Sequence, residues 1–387
     1  MKLSNRLSKL HPSGIRAVMA LAAARKKLGM SVIHMEVGQP DFKTPQHIID
    51  EAFKASRSQY IGYTPNAGMD TLRESVAERT SRRNKINVNM ENVCITSGGV
   101  MAIYLVMMAI LESCDEVLVP DPGWPNYLSS IALSGGKAKP YVLDPGNNYW
   151  PDIEELQSKI TPKTKAIILN FPGNPTGAVL SSERMSELID FAESNNLYLI
   201  SDEIYEDFVF EGNHVSVLNS VSSDKVILIS GVSKSYSMTG WRIGWIIADE
   251  KIIAASAQFV EPLASCPSSI SQYAAIAAIE GPQDCVKDML NAYRRRAELA
   301  MSVLGEAGLV MNKPQGAFYM MVDISKTGQN SDDFVRNLLD DVGVAVAPGQ
   351  TFGLSSMNSI RISTAISDDE VIEGTTLIRD YITSKSL

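Results

Sequence analysis

The sequence predicts an α/β fold: a large domain on a mostly parallel β-sheet with helices on both faces, and a smaller α+β domain packed against it. Three observations carry this. From about residue 90, short β-branched runs alternate with helix-like segments, the pattern of a parallel sheet whose crossovers are helices. After Gly281-Pro282 the alternation gives way to a long helix and then to strands and helices in mixed order. At 387 residues the chain exceeds one ordinary core.

Taken in order, "NVCIT" ends at Thr96 and leads into a helix-like apolar stretch. "EVLVP" ends at Pro120, and "KPYVL" precedes the helix-like "DIEELQSKI". "KAIILN", the helix-like "SSERMSELIDFAESNN", "LYLISD" and "KVILIS" follow. "GWIIA", Gly244 to Ala248, comes after too short a link for a helical crossover and is expected as the one antiparallel strand. "QDCVKDMLNAYRRRAELAMSVLGEAG" predicts one long helix ended by glycine. Beyond it, "AFYMMVDI", "VAVAP" and "NSIRIST" are expected as strands, "DDFVRNLLDDVG" and "DDEVIEGTTLIRDYITS" as helices.

Composition narrows the function. The net charge of −9 argues against a general affinity for nucleic acid or anionic membranes, which need basic fields. "AIYLVMMAIL", Ala102 to Leu111, falls well short of the roughly 20 apolar residues of a membrane span. "MKLSNRLSKLHPSG" has no apolar core of a secretory signal, so a cytoplasmic protein is expected. Cys94, Cys114, Cys266 and Cys285 show no CxxC spacing, and His11, His34, His47 and His214 no HxxxH, so neither a disulfide frame nor a protein-built metal centre is expected.

Ligands of an open parallel sheet bind beyond the carboxyl ends of its strands, so the residues just after each strand form a set. Ser97, Gly98, Gly99 and Val100 follow the first and open a helix, offering backbone N–H groups to a phosphate. The second is followed by Trp124, "KAIILN" by Asn174 in "FPGNPTG", "LYLIS" by Asp202 and Tyr205, and "KVILIS" by Lys234. Singly, each has an ordinary explanation as turn, cap, packing residue or surface charge. Together they are what a phosphorylated pyridine carbonyl needs: an amine for the carbonyl, a carboxylate for the ring nitrogen, an aromatic face, and a glycine loop with Arg242 for the phosphate. That compound is pyridoxal phosphate.

These residues resemble the class I aminotransferases of the aspartate/aromatic group, pyridoxal-phosphate enzymes of fold type I. The resemblance runs through "VGQPDF", "YTPNAGMDTLRESVA", "TSGGVMAI", "NFPGNPTG", "SDEIYEDFVF", "SKSYSMTGWRIGW", "KPQGAFYM" and "SIRISTA". It implies a seven-stranded sheet in a large domain of residues 45–283, with 1–44 and 284–387 forming the small domain. It implies that Lys234 bonds the cofactor and shuttles the proton, that Asp202 pairs with the ring nitrogen, that Tyr205 and Asn174 bind the ring oxygen, and that Trp124 stacks on the ring. Gly98, Gly99, Val100 and Arg242 would hold the phosphate, with Tyr63 reaching it from the partner of a homodimer. Arg361 would clamp the substrate α-carboxylate, assisted by Asn174 and Gly38. Relatives often carry a phosphate-binding serine where this chain has Gly231, so Ser230 and Ser233 are both candidates. By the same resemblance Gly14 and Ile15 of "HPSGIRA" border the side-chain pocket.

The resemblance implies transfer of an amino group from an amino acid, acidic or aromatic, to a 2-oxo acid such as 2-oxoglutarate. Alternatives with the same apparatus are a carbon–sulfur β-lyase, a decarboxylase or a cyclopropane-forming synthase, and more remotely a non-catalytic cofactor-sensing domain. "SGGK" (Ser134 to Lys137), "SNN" (Ser194 to Asn196) and "KTG" (Lys326 to Gly328) echo the motifs of penicillin-binding serine enzymes, but Gly135-Gly136 follows a helix-like segment instead of opening one.

Overall fold

The computed structural model describes residue 4 and residues 7–10, 13–220 and 223–386; His11 and Pro12 of "HPSGIRA" lie outside the described residues. Among the described residues β1 is Ile33–His34, and seven strands make the main sheet. These are β2 (Val93–Thr96), β3 (Glu116–Asp121), β4 (Lys137–Val142), β5 (Thr164–Asn170), β6 (Tyr198–Asp202), β7 (Val226–Gly231) and β8 (Gly244–Ile247). Their spatial order is β2-β8-β7-β6-β5-β3-β4. The pairs β3/β4, β3/β5, β5/β6 and β6/β7 are parallel, and β8 runs antiparallel to both β7 and β2, as the short link before "GWIIA" predicts.

The helices are α1 (Gly14–Lys27), α2 (Gln46–Ser58), α3 (Asp70–Asn84), α4 (Gly99–Ile110), α5 (Asn126–Leu133), α6 (Ile153–Ser158), α7 (Ser182–Ser194), α8 (Glu250–Ala264), α9 (Ser269–Glu280), α10 (Asp284–Ala300), α11 (Ser331–Val342) and α12 (Asp368–Lys385). Strand alternation divides the core between the two faces of the sheet. Ile95, Leu118, Ile167, Leu169, Leu199, Leu228 and Trp245 pack against residues of α2, α3, α7 and α9. Their neighbours Cys94, Val117, Val119, Ile168, Ile200, Ile227, Ile229 and Ile246 pack against α4, α5 and α8. Burial on both faces is why these strands read as continuous apolar runs.

A separate core joins Val18 and Ala22 of α1 and Met35 to Leu338, Ile360 and Ile378. It encloses an antiparallel sheet of β9 (Tyr319–Asp323), β11 (Ala347–Pro348) and β12 (Ser359–Ser363), while β10 (Val344–Ala345) pairs in parallel with β1. "VAVAP" is therefore two short strands in different sheets, divided at Val346. The long helix also differs from its expected form: α10 stops at Ala300 and a π-helical turn, Met301–Gly305, follows. Ala300 and Leu304, four residues apart and so on one face, both lie inside this second core. Between the two cores Phe42, Tyr205, Phe208, Tyr293, Phe318 and Tyr319 form an aromatic seam.

Candidate active site

The carboxyl ends of the parallel strands open on a cavity of about 590 Å³, lined by Gly38, Gly99, Val100, Trp124, Asn174, Asp202, Tyr205, Ser233, Lys234, Arg242 and Arg361. Residues spread over more than 300 positions meet there because the loops after β3, β5, β6 and β7 and the start of α4 converge at this edge of the sheet, with Arg361 added from within β12. A larger cavity, about 980 Å³ and lined by Trp150, Phe210, Arg294 and Lys313 among others, contains none of these residues.

Lys234 follows β7 by three residues, and its Nζ donates to the Gly38 carbonyl at 2.6 Å. Burial, reinforced by the Arg361 charge, brings the ammonium down from 10.5 to about 8, with Asp202 opposing. Asp202 ends β6; burial pushes its carboxyl up from 3.8 to about 6, against the stabilising Tyr127 hydroxyl and Ile204 N–H. The Tyr127 hydroxyl donates to Asp202 Oδ2 at 2.7 Å and the Ile204 N–H to Oδ1 at 3.3 Å. Tyr205 is buried, and its hydroxyl shares a 2.7 Å hydrogen bond with that of Tyr319. Trp124 meets Tyr127 edge to face, with ring centroids 5.3 Å apart.

The glycine loop is built for an anion. Gly98 caps α4 at φ +87 without a side-chain cap, leaving the N–H groups of Gly99 and Val100 without intrahelical acceptors. A side chain at position 98 would run into the Arg242 guanidinium, so Gly98 backs the cavity while Arg242 sits close beside the loop. Arg242 donates only to backbone, to Thr239 O at 3.0 Å and Ser97 O at 3.2 Å. Ser233 lines the cavity, but Ser230 does not: its hydroxyl donates to Glu206 Oε1 at 3.1 Å. Of the two serine candidates, the cavity lining includes Ser233 alone. Alternation along β7 explains it, since Ile229 faces α4 and Gly99 while Ser230 points to the opposite face. Glycine at 231 is also required, because a Cβ there would stand 2.8 Å from Gly244 Cα and the Ile243 carbonyl.

Behind the loop lies a buried charge network. Arg79 donates to Glu206 at 2.8 Å and to Asp207 at 3.0 Å, and Arg83 donates to Asp207 and to the Glu206 carbonyl. Despite burial, the two arginines hold both carboxyls below the usual range. Arg361, on β12, is 1% exposed between the rings of Tyr319 and Phe352. It donates to Asn174 Oδ1 at 3.1 Å and to the Glu36 carbonyl, while its buried Nε has no partner. A buried guanidinium with an unused donor suits a carboxylate ligand.

Tyr63 is 90% exposed and stands outside this cavity. Tyr127, Asn170 and Tyr319 line it, although no sequence argument gave them a role. Asn170 donates to the Asp202 carbonyl at 2.9 Å and accepts from Asn174 N at 2.9 Å, tying two strand ends together. The serine-enzyme echoes do not converge on the cavity: Ser134 caps the end of α5, Ser194 ends α7, and Lys326 lies in a 3-10 turn after β9. Among the described residues no His/Cys/Asp/Glu cluster could hold a metal ion, and no helix is long and apolar enough to cross a membrane.

The donor set fits pyridoxal phosphate: free N–H groups beside an arginine for the phosphate, a buried carboxylate for the ring nitrogen, and a depressed lysine for the carbonyl. Comparison with known proteins agrees. The family profile "Aminotransferase class I and II" matches residues 30–375. Aspartate aminotransferase of Bacillus sp. (strain YM-2) is 38% identical over 94% of this chain and 95% of its own. Aromatic-amino-acid aminotransferase 2 of Thermococcus litoralis is 35% identical over the whole of both chains. The crystal structure of Thermotoga maritima aspartate aminotransferase superposes with a TM-score of 0.93, at 33% identity, over 98% of this chain and 100% of that one. A matching profile, full-length relatives and a cavity furnished for the same cofactor lead to one conclusion: the chain belongs to the class I and II aminotransferases and is a pyridoxal-phosphate-dependent enzyme that transfers amino groups between amino acids and oxo acids.

Proposed function

We propose that the enzyme takes the amino group of aspartate, with aromatic amino acids as further donors, and passes it to 2-oxoglutarate. The observation that carries this is the convergence of Lys234, Asp202 and Arg361 in one cavity. The relatives named for aspartate and for aromatic amino acids support the same donors. The bound cofactor supplies a ring that accepts the electrons of the substrate Cα–H bond. Arg361 holds the α-carboxylate, using the Nε that lacks a partner. Asn174 accepts from Arg361 through Oδ1, which leaves its amide nitrogen, with the Tyr205 hydroxyl, to donate to the ring oxygen.

Lys234, brought down to about 8, takes the Cα proton as base and returns it as acid, efficient when its proton affinity lies near the working pH. Asp202, fixed by Tyr127 and Ile204, keeps the ring nitrogen protonated. Trp124 gives the ring an aromatic face. Gly98, Gly99, Val100, Ser233 and Arg242 hold the phosphate, while Gly38 accepts from the Lys234 amine when it is protonated.

The same proposal makes the enzyme a homodimer in which Tyr63 reaches the partner's phosphate. Tyr60 and Tyr63, both about 90% exposed, give the apolar surface such a contact covers. It divides the chain into 45–283 and 1–44 with 284–387, and places it in the cytoplasm, in keeping with four free cysteines. The test is a panel of amino acids with the purified holoenzyme. Aspartate should be consumed only when 2-oxoglutarate is present; consumption of a β-thio amino acid such as cystathionine without an oxo acid, releasing a thiol, ammonia and pyruvate, would assign a lyase instead.

A further inference from the structure

The larger cavity, of about 980 Å³, shares no residue with the site just described and lies where the two cores meet. Trp150, Leu180 and Val215 of its wall pack on the main-sheet core, Met301 on the second core, and Phe210 and Ala297 in the aromatic seam. Crevices between packed parts are frequent ligand sites, and this one has the volume of a small-molecule pocket. Met301 and Ser302 also belong to the π-helical turn after α10, a local widening common at functional sites. The amino-transfer mechanism uses none of these residues.

The charges in the wall say what would fit. α10 carries three consecutive arginines, of which Arg295 and Arg296 pair with Asp368, and Arg296 also with Asp41. Arg294 turns to the cavity instead. Among the described residues no ion pair or side-chain hydrogen bond includes it, and its buried Nε has no partner. Glu298, one helical turn further on, lines the cavity too and is likewise unpaired, as is Glu306 near the rim. Lys313 and Glu211 pair with each other at 3.8 Å. Open charges of both signs therefore face one space: a plain anion would meet the carboxylates, a plain cation the guanidinium. A ligand carrying both charges on neighbouring atoms satisfies both. The rest of the wall supplies aromatic surface, from buried Phe210 and from Trp150, whose Nε1 donates to the Val179 carbonyl at 2.8 Å and so fixes the ring.

We propose that this cavity is a second, non-catalytic site for an aromatic α-amino acid. Its carboxylate pairs with Arg294, its ammonium with Glu298, and its ring lies against Trp150 and Phe210.

The experiment is calorimetry on borohydride-reduced holoenzyme, whose lysine no longer exchanges with an amino acid, in saturating succinate to cover Arg361. Phenylalanine is compared with phenethylamine, which lacks the carboxylate, and with 3-phenylpropanoate, which lacks the ammonium. Phenylalanine should bind once per chain. Phenethylamine should bind about 10- to 100-fold more weakly, as expected for lost hydrogen bonds between charged groups. 3-Phenylpropanoate should lose about 2- to 5-fold, the effect of an exposed ion pair. Arg294→Gln should weaken phenylalanine about 10- to 100-fold and leave phenethylamine unchanged. No saturable binding of phenylalanine, or binding as tight in Arg294→Gln as in wild type, overturns the proposal. If Arg294→Gln does not fold, the three ligands on the wild-type protein decide: phenethylamine binding as tightly as phenylalanine removes the carboxylate contact and the proposal with it.

Discussion

Asp202 is a carboxylate whose place in the fold runs against the stability of the cofactor-free chain. Burial raises its folded pKa to about 6 from 3.8, so the folded chain prefers it protonated. The stability it contributes is therefore full below pH 3.8 and is lost as pH rises through 6, a change of about 3 kcal/mol. Asp202→Asn, free of this titration, should make the cofactor-free protein more stable by up to about 3 kcal/mol at pH 7 and leave it level with wild type near pH 3.5. Urea denaturation at the two pH values reads this directly; equal stability at pH 7 would show that the carboxylate carries no burial penalty. With the cofactor bound the order should reverse, because the ring nitrogen supplies the positive partner that Asp202 lacks. Arg361 has the same character, a buried guanidinium whose Nε waits for a ligand. The sequence marks Asp202 by its place after a strand and Arg361 by family resemblance, but their burial and their unmet partners are visible only in the structure.

At the scale of elements, the β7–loop–β8 segment couples packing to chemistry. Gly231 pairs with Gly244, and neither can gain a Cβ without meeting backbone. Gly231→Ser should therefore cost about 1–3 kcal/mol, the usual price of overpacking, and weaken cofactor retention by displacing the Lys234 loop. Thermal denaturation together with cofactor release on dialysis would show both; a variant as stable and as well loaded as wild type would mean that β8 yields. The seven strands and their one reversal were legible because parallel strands buried on both faces leave long apolar runs, as in "KAIILN" and "KVILIS". α3 was not, since "DTLRESVAERTSRRN" buries Ser75 and Thr80 beside Leu72 and Val76 and shows little apolar periodicity. The choice between Ser230 and Ser233 was out of reach for another reason. It depends on which face of β7 the cradle occupies, and that follows from where α4 packs. Tyr127 and Asn170 went unseen because their roles are hydrogen bonds to Asp202, a residue distant in sequence.

For the molecule as a whole, two cores meet along an aromatic seam, with the cavity opening beside it: Tyr205 and Tyr319 belong to both. Arg361 comes from the part with the second core, Lys234 and Asp202 from the part with the main sheet, so substrate binding bridges the two. The proposed homodimer would extend this logic to a second copy of the chain through Tyr63. Tyr63→Phe should leave the dimer intact and weaken cofactor retention about tenfold, the effect of one hydrogen bond to a charged phosphate; a fully active monomer in analytical ultracentrifugation would contradict the shared site. The central claim is that the lysine after β7 bonds the cofactor. Borohydride reduction of the holoenzyme, proteolysis and mass spectrometry test it most directly. The account predicts one phosphopyridoxyl group, on the peptide carrying Lys234; a label on another lysine, or retention of the label in Lys234→Ala, would contradict it.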